Sequence, residues 1–309
     1  MILCPDHYLQ IRKTKIYHSE VKESFKITAL GDTHMSKMIK NTKLYPLQKQ
    51  LEKEEPDYFV FIGDIIDLPS QLRNKTVQQN TIELIKTAAA IAPVLLVLGS
   101  HDYIEPNKKN HDYSYNRYFW EEVIGTMENV HLLHNDIYQN NQVLFMGYWQ
   151  TLEYYYNDND IHHENLEKFY EDFINYPNLY KNLPKDIPRI ALIHSPEFIK
   201  LKRNRELIQE YDLLISGHMH DGCVPFGIGS KTTGLISPKK ELFPKMARGF
   251  FTLDTDTNVI VSGGVIKISE CAPKYLHLAN HLCPMQMDSI IFTSENQPVE
   301  ISKSKIYTR

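Results

Sequence analysis

Five apolar runs in this chain stop on the same kind of residue: FKITALGDTH (25–34), YFVFIGDIID (58–67), VLLVLGSHD (94–102), RIALIHS (189–195) and DLLISGHMH (212–220). Each run is short, continuous and rich in β-branched and aromatic residues, the pattern of a strand buried on both faces. Each then gives way, within one or two residues, to Gly, Asp, Ser or His. A fold built on such strands must collect those polar ends along one edge of its sheets. That requirement limits the architecture more than any other feature of the sequence.

The intervening segments supply the other half of the pattern. TKLYPLQKQLEKEE (42–55), NTIELIKTAAAIA (80–92) and NRELIQEYD (204–212) carry helical periodicity and charge, and VLFMGYW (143–149) is a sixth apolar run, so strands and helices alternate. The expected fold class is α/β, with helices covering the sheets. ARGFFTLDTDTNVIVSGGVIKIS (247–269) reads instead as strand, Asp/Thr/Asn turn and strand, an antiparallel hairpin expected to complete the second sheet. Within the Tyr- and Asn-rich stretch 150–187, Leu166, Phe169, Tyr170, Phe173 and Ile174 fall at helical spacing and predict an amphipathic helix.

Composition excludes several classes. With 309 residues, 42% of them hydrophobic, the chain can bury a large core, and Lys+Arg 34 against Asp+Glu 38 gives a net charge of −4. There is no basic excess for gripping nucleic-acid phosphates, so nucleic acid is an unlikely partner. Cys4, Cys223, Cys271 and Cys283 lack CxxC spacing and signal neither a zinc ribbon nor a disulfide framework. No window approaches the ~18 apolar residues of a membrane span, and MILCPDHYLQIRK is too short in apolar residues for a signal peptide. A cytoplasmic location, with peripheral membrane contact as an option, is the expectation.

In open α/β sheets ligands gather outside the carboxyl ends of the strands. Asp32, His34, Asp64, His194, His218 and His220 all stand there. In D-x-H and H-x-H, alternate residues of an extended segment point the same way and can reach one centre. Imidazoles with carboxylates suit Mn²⁺, Fe or Zn²⁺ better than Ca²⁺ or Mg²⁺. Two such ions ~3.5–4 Å apart would clamp a phosphoryl group and convert a bridging water to a hydroxide nucleophile.

DTH, GDIID, GSHD, H and GHMH, in that order over residues 26–222, resemble the five blocks of the calcineurin-like metallophosphoesterases. That resemblance implies a four-layer α/β/β/α sandwich with two divalent metal ions at one end. It places Asp32, His34 and His220 on the first metal, Asp64 on both, and His194, His218 and Ser100 on the second. His101 would be the general acid, with Asp102 and Asp67 as its orienting partners. Ser100 departs from the family pattern, which has asparagine there. A shorter, neutral hydroxyl is a poorer ligand, so a weaker second site is expected. A natural variant binding through water, an introduced substitution and decay toward a binding protein all remain open.

The resemblance divides the chain into an N-terminal extension with a first strand (1–24), a phosphoesterase domain (25–270) with 150–187 as an insertion rimming the site, and a C-terminal extension (271–309). The segment following GHMH is similar to that of the bacterial membrane-associated subgroup. The implied activity is hydrolysis of a phosphate ester, a phosphodiester more than a monoester, on a small phosphorylated substrate or lipid head group. A non-catalytic scaffold, or a nuclease of the same family, is the alternative.

Some residues have plainer readings. His162 and His163, in an acidic stretch, read as solvated. The tyrosines at 154–156 could stack on a substrate, but packing the loop onto the domain is the commoner use. Lys200, Lys202, Arg203 and Arg205 could draw a phosphate or an anionic membrane, or form an ordinary solvated face.

Overall fold

Alternate residues of the central strands enter different cores. Ile27, Ala29, Val60, Ile62, Leu95 and Val97 pack with Phe145, Ile190, Leu192, Leu213, Ile215 and Ile260 in one apolar cluster. Their neighbours Leu30, Phe59, Phe61, Leu96, Met146, Ala191, Ile193 and Leu214 belong to a second cluster shared with the helices. Side chains alternate across a strand, so two sheets must lie face to face with helices outside. The computed structural model describes residues 8–37, 41–104, 114–155, 165–225, 231–270, 272, 274–295 and 299–307.

Strands β1 (Tyr8–Tyr17), β2 (Phe25–Leu30), β3 (Tyr58–Ile62), β4 (Val94–Val97) and β5 (Val130–Leu132) belong to the first sheet. Strands β6 (Asp136–Gln139), β7 (Leu144–Tyr148), β8 (Arg189–Ile193), β9 (Leu213–Ser216), β10 (Gly249–Thr252) and β11 (Asn258–Val261) form the second. Two late strands, β12 (Met285–Thr293) and β13 (Glu300–Tyr307), return to the first. The orders are β13-β1-β12-β2-β3-β4-β5 and β10-β11-β9-β8-β7-β6. Pairing is parallel through β2-β3-β4-β5, through β11-β9-β8-β7 and between β1 and β12; β12 runs antiparallel to β2, and the edge pairs β13-β1, β10-β11 and β6-β7 are antiparallel. The structure is thus the expected pair of mixed sheets flanked by helices.

The 247–269 hairpin forms the edge pair β10-β11 of the second sheet, as its Asp/Thr/Asn turn predicts. Segment 271–309, set apart in the sequence as an extension, supplies β12, which lies between β1 and β2 inside the first sheet. The amphipathic helix runs Leu166–Phe173; Phe169 and Phe173 are buried, and Phe169 stacks on Phe198 at 3.9 Å. Ile174 instead caps the helix and is exposed. His162, His163, Tyr156, Cys4 and Cys271 lie outside the described residues.

One buried ion pair fastens the sandwich. Arg12 of β1 pairs with Asp288 of β12, both buried, and its Nη2 donates to the Val261 carbonyl in the other sheet at 2.9 Å. Removing one member of a buried pair strands the other charge, at a cost of about 3–5 kcal/mol. Arg12→Met should lower the urea midpoint accordingly, and adding Asp288→Leu should restore most of the loss. A single variant as stable as wild type would show that the pair contributes little.

Candidate metal centre

The strand ends do not run on as extended chain. Asp32, His34, Asp64, His218 and His220 have φ of 50°, 41°, 49°, 66° and 48°, in the left-handed region. Outside glycine that conformation costs roughly 1–2 kcal/mol per residue. It turns each strand end sharply, so D-x-H and H-x-H converge by alternating left-handed residues rather than by the pleat expected from the sequence. Strain of this kind persists only where surrounding contacts fix it, and it concentrates at functional sites.

The fixing contacts are backbone hydrogen bonds between adjacent turns. Asp32 N–H donates to the Gly63 carbonyl and His34 N–H to the Asp64 carbonyl, both at 3.0 Å. Met35 N–H donates to the Ile65 carbonyl and Asp67 N–H to that of Met35. The loops after β2 and β3 therefore zip together beyond the sheet and carry their carboxylates to one point. Asp102 holds the same loops from the next strand: its Oδ1 accepts from Ile65 and Ile66 N–H at 2.9 and 3.1 Å, and its Oδ2 from Gly99 N–H at 2.8 Å.

Potential ligand atoms of Asp32, His34, Asp64 and His220 lie within 4.8 Å of one another, and so do those of Asp64, His194 and His218. Asp64 belongs to both groups. Its Oδ1 accepts the His101 backbone N–H at 2.8 Å, leaving Oδ2 turned toward the imidazoles. His194 pairs its Nδ1 with the Ile62 carbonyl at 2.6 Å and His220 pairs its Nδ1 with the Ile266 carbonyl at 2.8 Å, so each Nε2 is left as a ligand atom. His194 Nε2 then faces Asp64 Oδ2 at 3.1 Å, both atoms buried. Asp32 Oδ2 and His34 Nε2 are also buried without a hydrogen-bond partner. Such atoms are costly in a protein interior unless a cation lies among them. The set fits divalent metal.

Charge effects follow the same geometry. Burial alone would raise the Asp64 carboxyl, but His194 and His101 beside it hold it well below the usual carboxylate range. Against its own burial, His194 is raised to about 9 by the Asp64 charge. Burial and the neighbouring His194 push His218 down to about 4. Two imidazoles in one small space are thus driven apart, which a doubly charged ion would resolve by holding both neutral.

The remaining expected residues sort differently. His101 joins Nδ1 to the Asp67 carbonyl at 2.5 Å, so Asp67 orients it through backbone, while the Asp67 carboxylate lies 3.3 Å from His34 Nδ1. Asp102 directs its carboxylate to backbone N–H groups, not to the His101 ring. Ser100 begins the short helix Ser100–Tyr103, partly exposed, between Gly99 and His101. Tyr154 and Tyr155 are buried and bond Ser195 and Gln150, packing the loop onto the domain. Lys200 contacts Glu197 and Glu241, Lys202 faces Glu206, Arg203 pairs with Glu167 and Arg205 with Asp254. The basic cluster is therefore a neutralised surface.

Sequence reading missed the loop after β11. Val265 and Ile266 N–H donate to the carbonyls of Gly31 and Asp32, and the Ile266 carbonyl holds His220. At Gly264 (φ 69°) a Cβ would come within 2.7 Å of Asp32 Cβ. The signal was the Gly-Gly of SGG, read there only as the end of a hairpin.

A family model described as calcineurin-like phosphoesterase matches residues 25–222. The chain belongs to the calcineurin-like phosphoesterase family. A Bos taurus protein, "Transmembrane protein with metallophosphoesterase domain", is 23% identical over 208 residues, which cover 65% of this chain and 41% of that protein. The chain thus spans less than half of that family member's length. Among solved structures, a dimetal phosphatase from Danio rerio has a TM-score of 0.48 at 14% identity, covering 79% of this chain and 88% of its own. GAP50 of Plasmodium, the anchor in the inner membrane complex, has 0.49 at 14% identity, with 93% and 86% covered. Among the described residues of this family member, no helix is long and apolar enough to cross a membrane.

Gly99 gives a direct test of the centre. A Cβ there would sit 2.3 Å from Asp64 Oδ1 and 2.7 Å from His194 Cε1. Displacing residues that orient metal ligands typically costs about 10–100-fold in metal affinity. Gly99→Ala should therefore weaken Mn²⁺ binding in calorimetry by that factor with the far-UV circular dichroism unchanged; unaltered binding would place the metal elsewhere.

Proposed function

We propose that this chain is a divalent-metal-dependent hydrolase of phosphate esters that prefers a phosphodiester to a monoester. The observation that carries the reading is the sharing of Asp64 between two groups of buried donors. Asp32, His34 and His220 would hold one cation, His194 and His218 the other, with Asp64 common to both and Ser100 completing the second directly or through water. Bound cations supply Lewis acidity toward the phosphoryl oxygens and toward water.

The chain's own residues do the rest. With Nδ1 committed to Asp67, His101 has Nε2 as the atom that can exchange a proton with the leaving oxygen. Burial lowers the His101 imidazole, partly offset by the nearby Asp64 charge. Asp67 positions two rings at once, and Asp102 positions the loop that carries His101. Because Lys200, Lys202, Arg203 and Arg205 all face carboxylates, they do not offer the extra positive charge that a dianionic monoester would demand. This supports the diester.

A small phosphorylated molecule or a lipid head group fits such a site, and a surface turn supports peripheral membrane contact. Ser237 and Lys240 close a hydrogen-bonded turn that leaves Leu242 68% and Phe243 64% exposed, with Lys240 and Lys245 exposed beside them. Apolar tips among lysines suit an anionic surface. Leu242→Ser with Phe243→Ser should reduce co-sedimentation with phosphatidylserine vesicles, and equal sedimentation would argue against this contact.

Hydrolysis of bis(p-nitrophenyl) phosphate and p-nitrophenyl phosphate with Mn²⁺ tests the activity. Asp64→Asn should abolish it, and His101→Ala should cut turnover by about 10²–10⁴-fold while metal content is kept. Ser100→Asn should raise occupancy of the second position. One metal or none per chain, without hydrolysis, would favour a binding protein instead, the reading to which Ser100 lends weight.

A further inference from the structure

Beside the His101 turn lies a cavity of about 340 Å³ whose lining includes Leu98, Leu132, Leu152, Tyr103, Trp120 and Trp149. It has the size and the apolar character of a small-molecule pocket. Leu98 and Tyr103 flank Gly99-Ser100-His101 in sequence, so the cavity and the proposed general acid share one turn. The opposite wall is fastened to that turn: Asn116 Nδ2 and Trp120 Nε1 both donate to the Asp102 carbonyl, at 3.3 and 3.2 Å. Trp120 belongs to a π-helical segment, Phe119–Ile124, a rare helix form that is frequent at functional sites. Tyr103 lies 6.4 Å from Tyr155, whose ring is 5.8 Å from His218, so packed rings connect cavity and metal centre.

We infer that the cavity seats an alkyl chain carried on the leaving-group side of the substrate, an assignment that rests on the phosphoesterase reading. The side follows from the turn that carries His101, the residue proposed to serve the leaving oxygen, because Leu98 and Tyr103 of that turn line the cavity. The chain follows from the walls. Three leucines contribute to them, and the rings do not stack: Tyr103 meets Trp149 at 64° and His134 meets Trp149 at 43°, so these pairs offer no parallel faces to a flat ring. Charge is kept to Arg117 and Glu121, an ion pair on exposed side chains, which lets a chain enter past a polar rim.

The protein carries its own reporter, because Trp120 and Trp149 are its two tryptophans and both line the cavity. Titrating octyl phosphate into the full chain in EDTA should shift the tryptophan emission saturably, whereas inorganic phosphate should not. With Mn²⁺, inhibition constants of methyl, butyl and octyl phosphate against a chromogenic diester should fall by about fourfold per buried methylene. Leu152→Phe should erase both the emission shift and the chain-length dependence while leaving inhibition by methyl phosphate unchanged. No emission change, or equal inhibition by methyl and octyl phosphate, would overturn the assignment, as would phenyl phosphate binding more tightly than hexyl phosphate. An emission shift without hydrolysis would sink the phosphoesterase reading, and with it the leaving-group side of the assignment, and would leave only alkyl-chain binding in the cavity.

Discussion

The carboxylate of Asp64 is the point on which the structure turns. It is fully buried, one oxygen is tied to the His101 backbone, and the other is pressed to 3.1 Å from an imidazole nitrogen. A carboxylate so placed is tolerable only if neighbouring groups supply positive charge or a cation does. The absence of a side chain at position 99 and the hydrogen bonds that three backbone amides donate to Asp102 keep it there. So do the left-handed turns on either side. Each of these features is unfavourable or unexplained alone, and together they describe one pre-formed charge trap.

Neither sheet could build that trap by itself. The first contributes Asp32, His34, Asp64 and His101 from its strand ends; the second contributes His194, His218 and His220. Their convergence requires both sheets to present carboxyl ends at the same edge and to remain in fixed register. The apolar cluster between the sheets, the Arg12 link to Val261 and the Val265–Ile266 crossing all enforce that register. Stability and site geometry are therefore two readings of one interface.

Much of this was legible in the sequence, for physical reasons. Continuous apolar runs such as YFVFI and VLLV admit little besides buried strands, and their polar ends had to meet on one edge. The way they meet was not legible. Propensity rules assign left-handed backbone to glycine, yet aspartates and histidines adopt it here because the hydrogen bonds between adjacent loops outweigh the local cost. Asp102 was misjudged as a partner of the His101 ring because adjacency in sequence says nothing about which way a carboxylate turns. Gly264 was passed over because its neighbour in space, Asp32, lies more than two hundred residues away in the chain.

The place of β12 bears on how the molecule is made. Between β1 and β2, it pairs with strands formed from the first thirty residues, across more than 250 intervening positions. During synthesis those two early strands emerge with the slot between them unfilled, and their edges stay open until residue 293 has left the ribosome. Pairings of such high contact order are slow. Every residue proposed to hold metal has been translated before that slot can be filled, so the ligand loops exist while the first sheet is still incomplete.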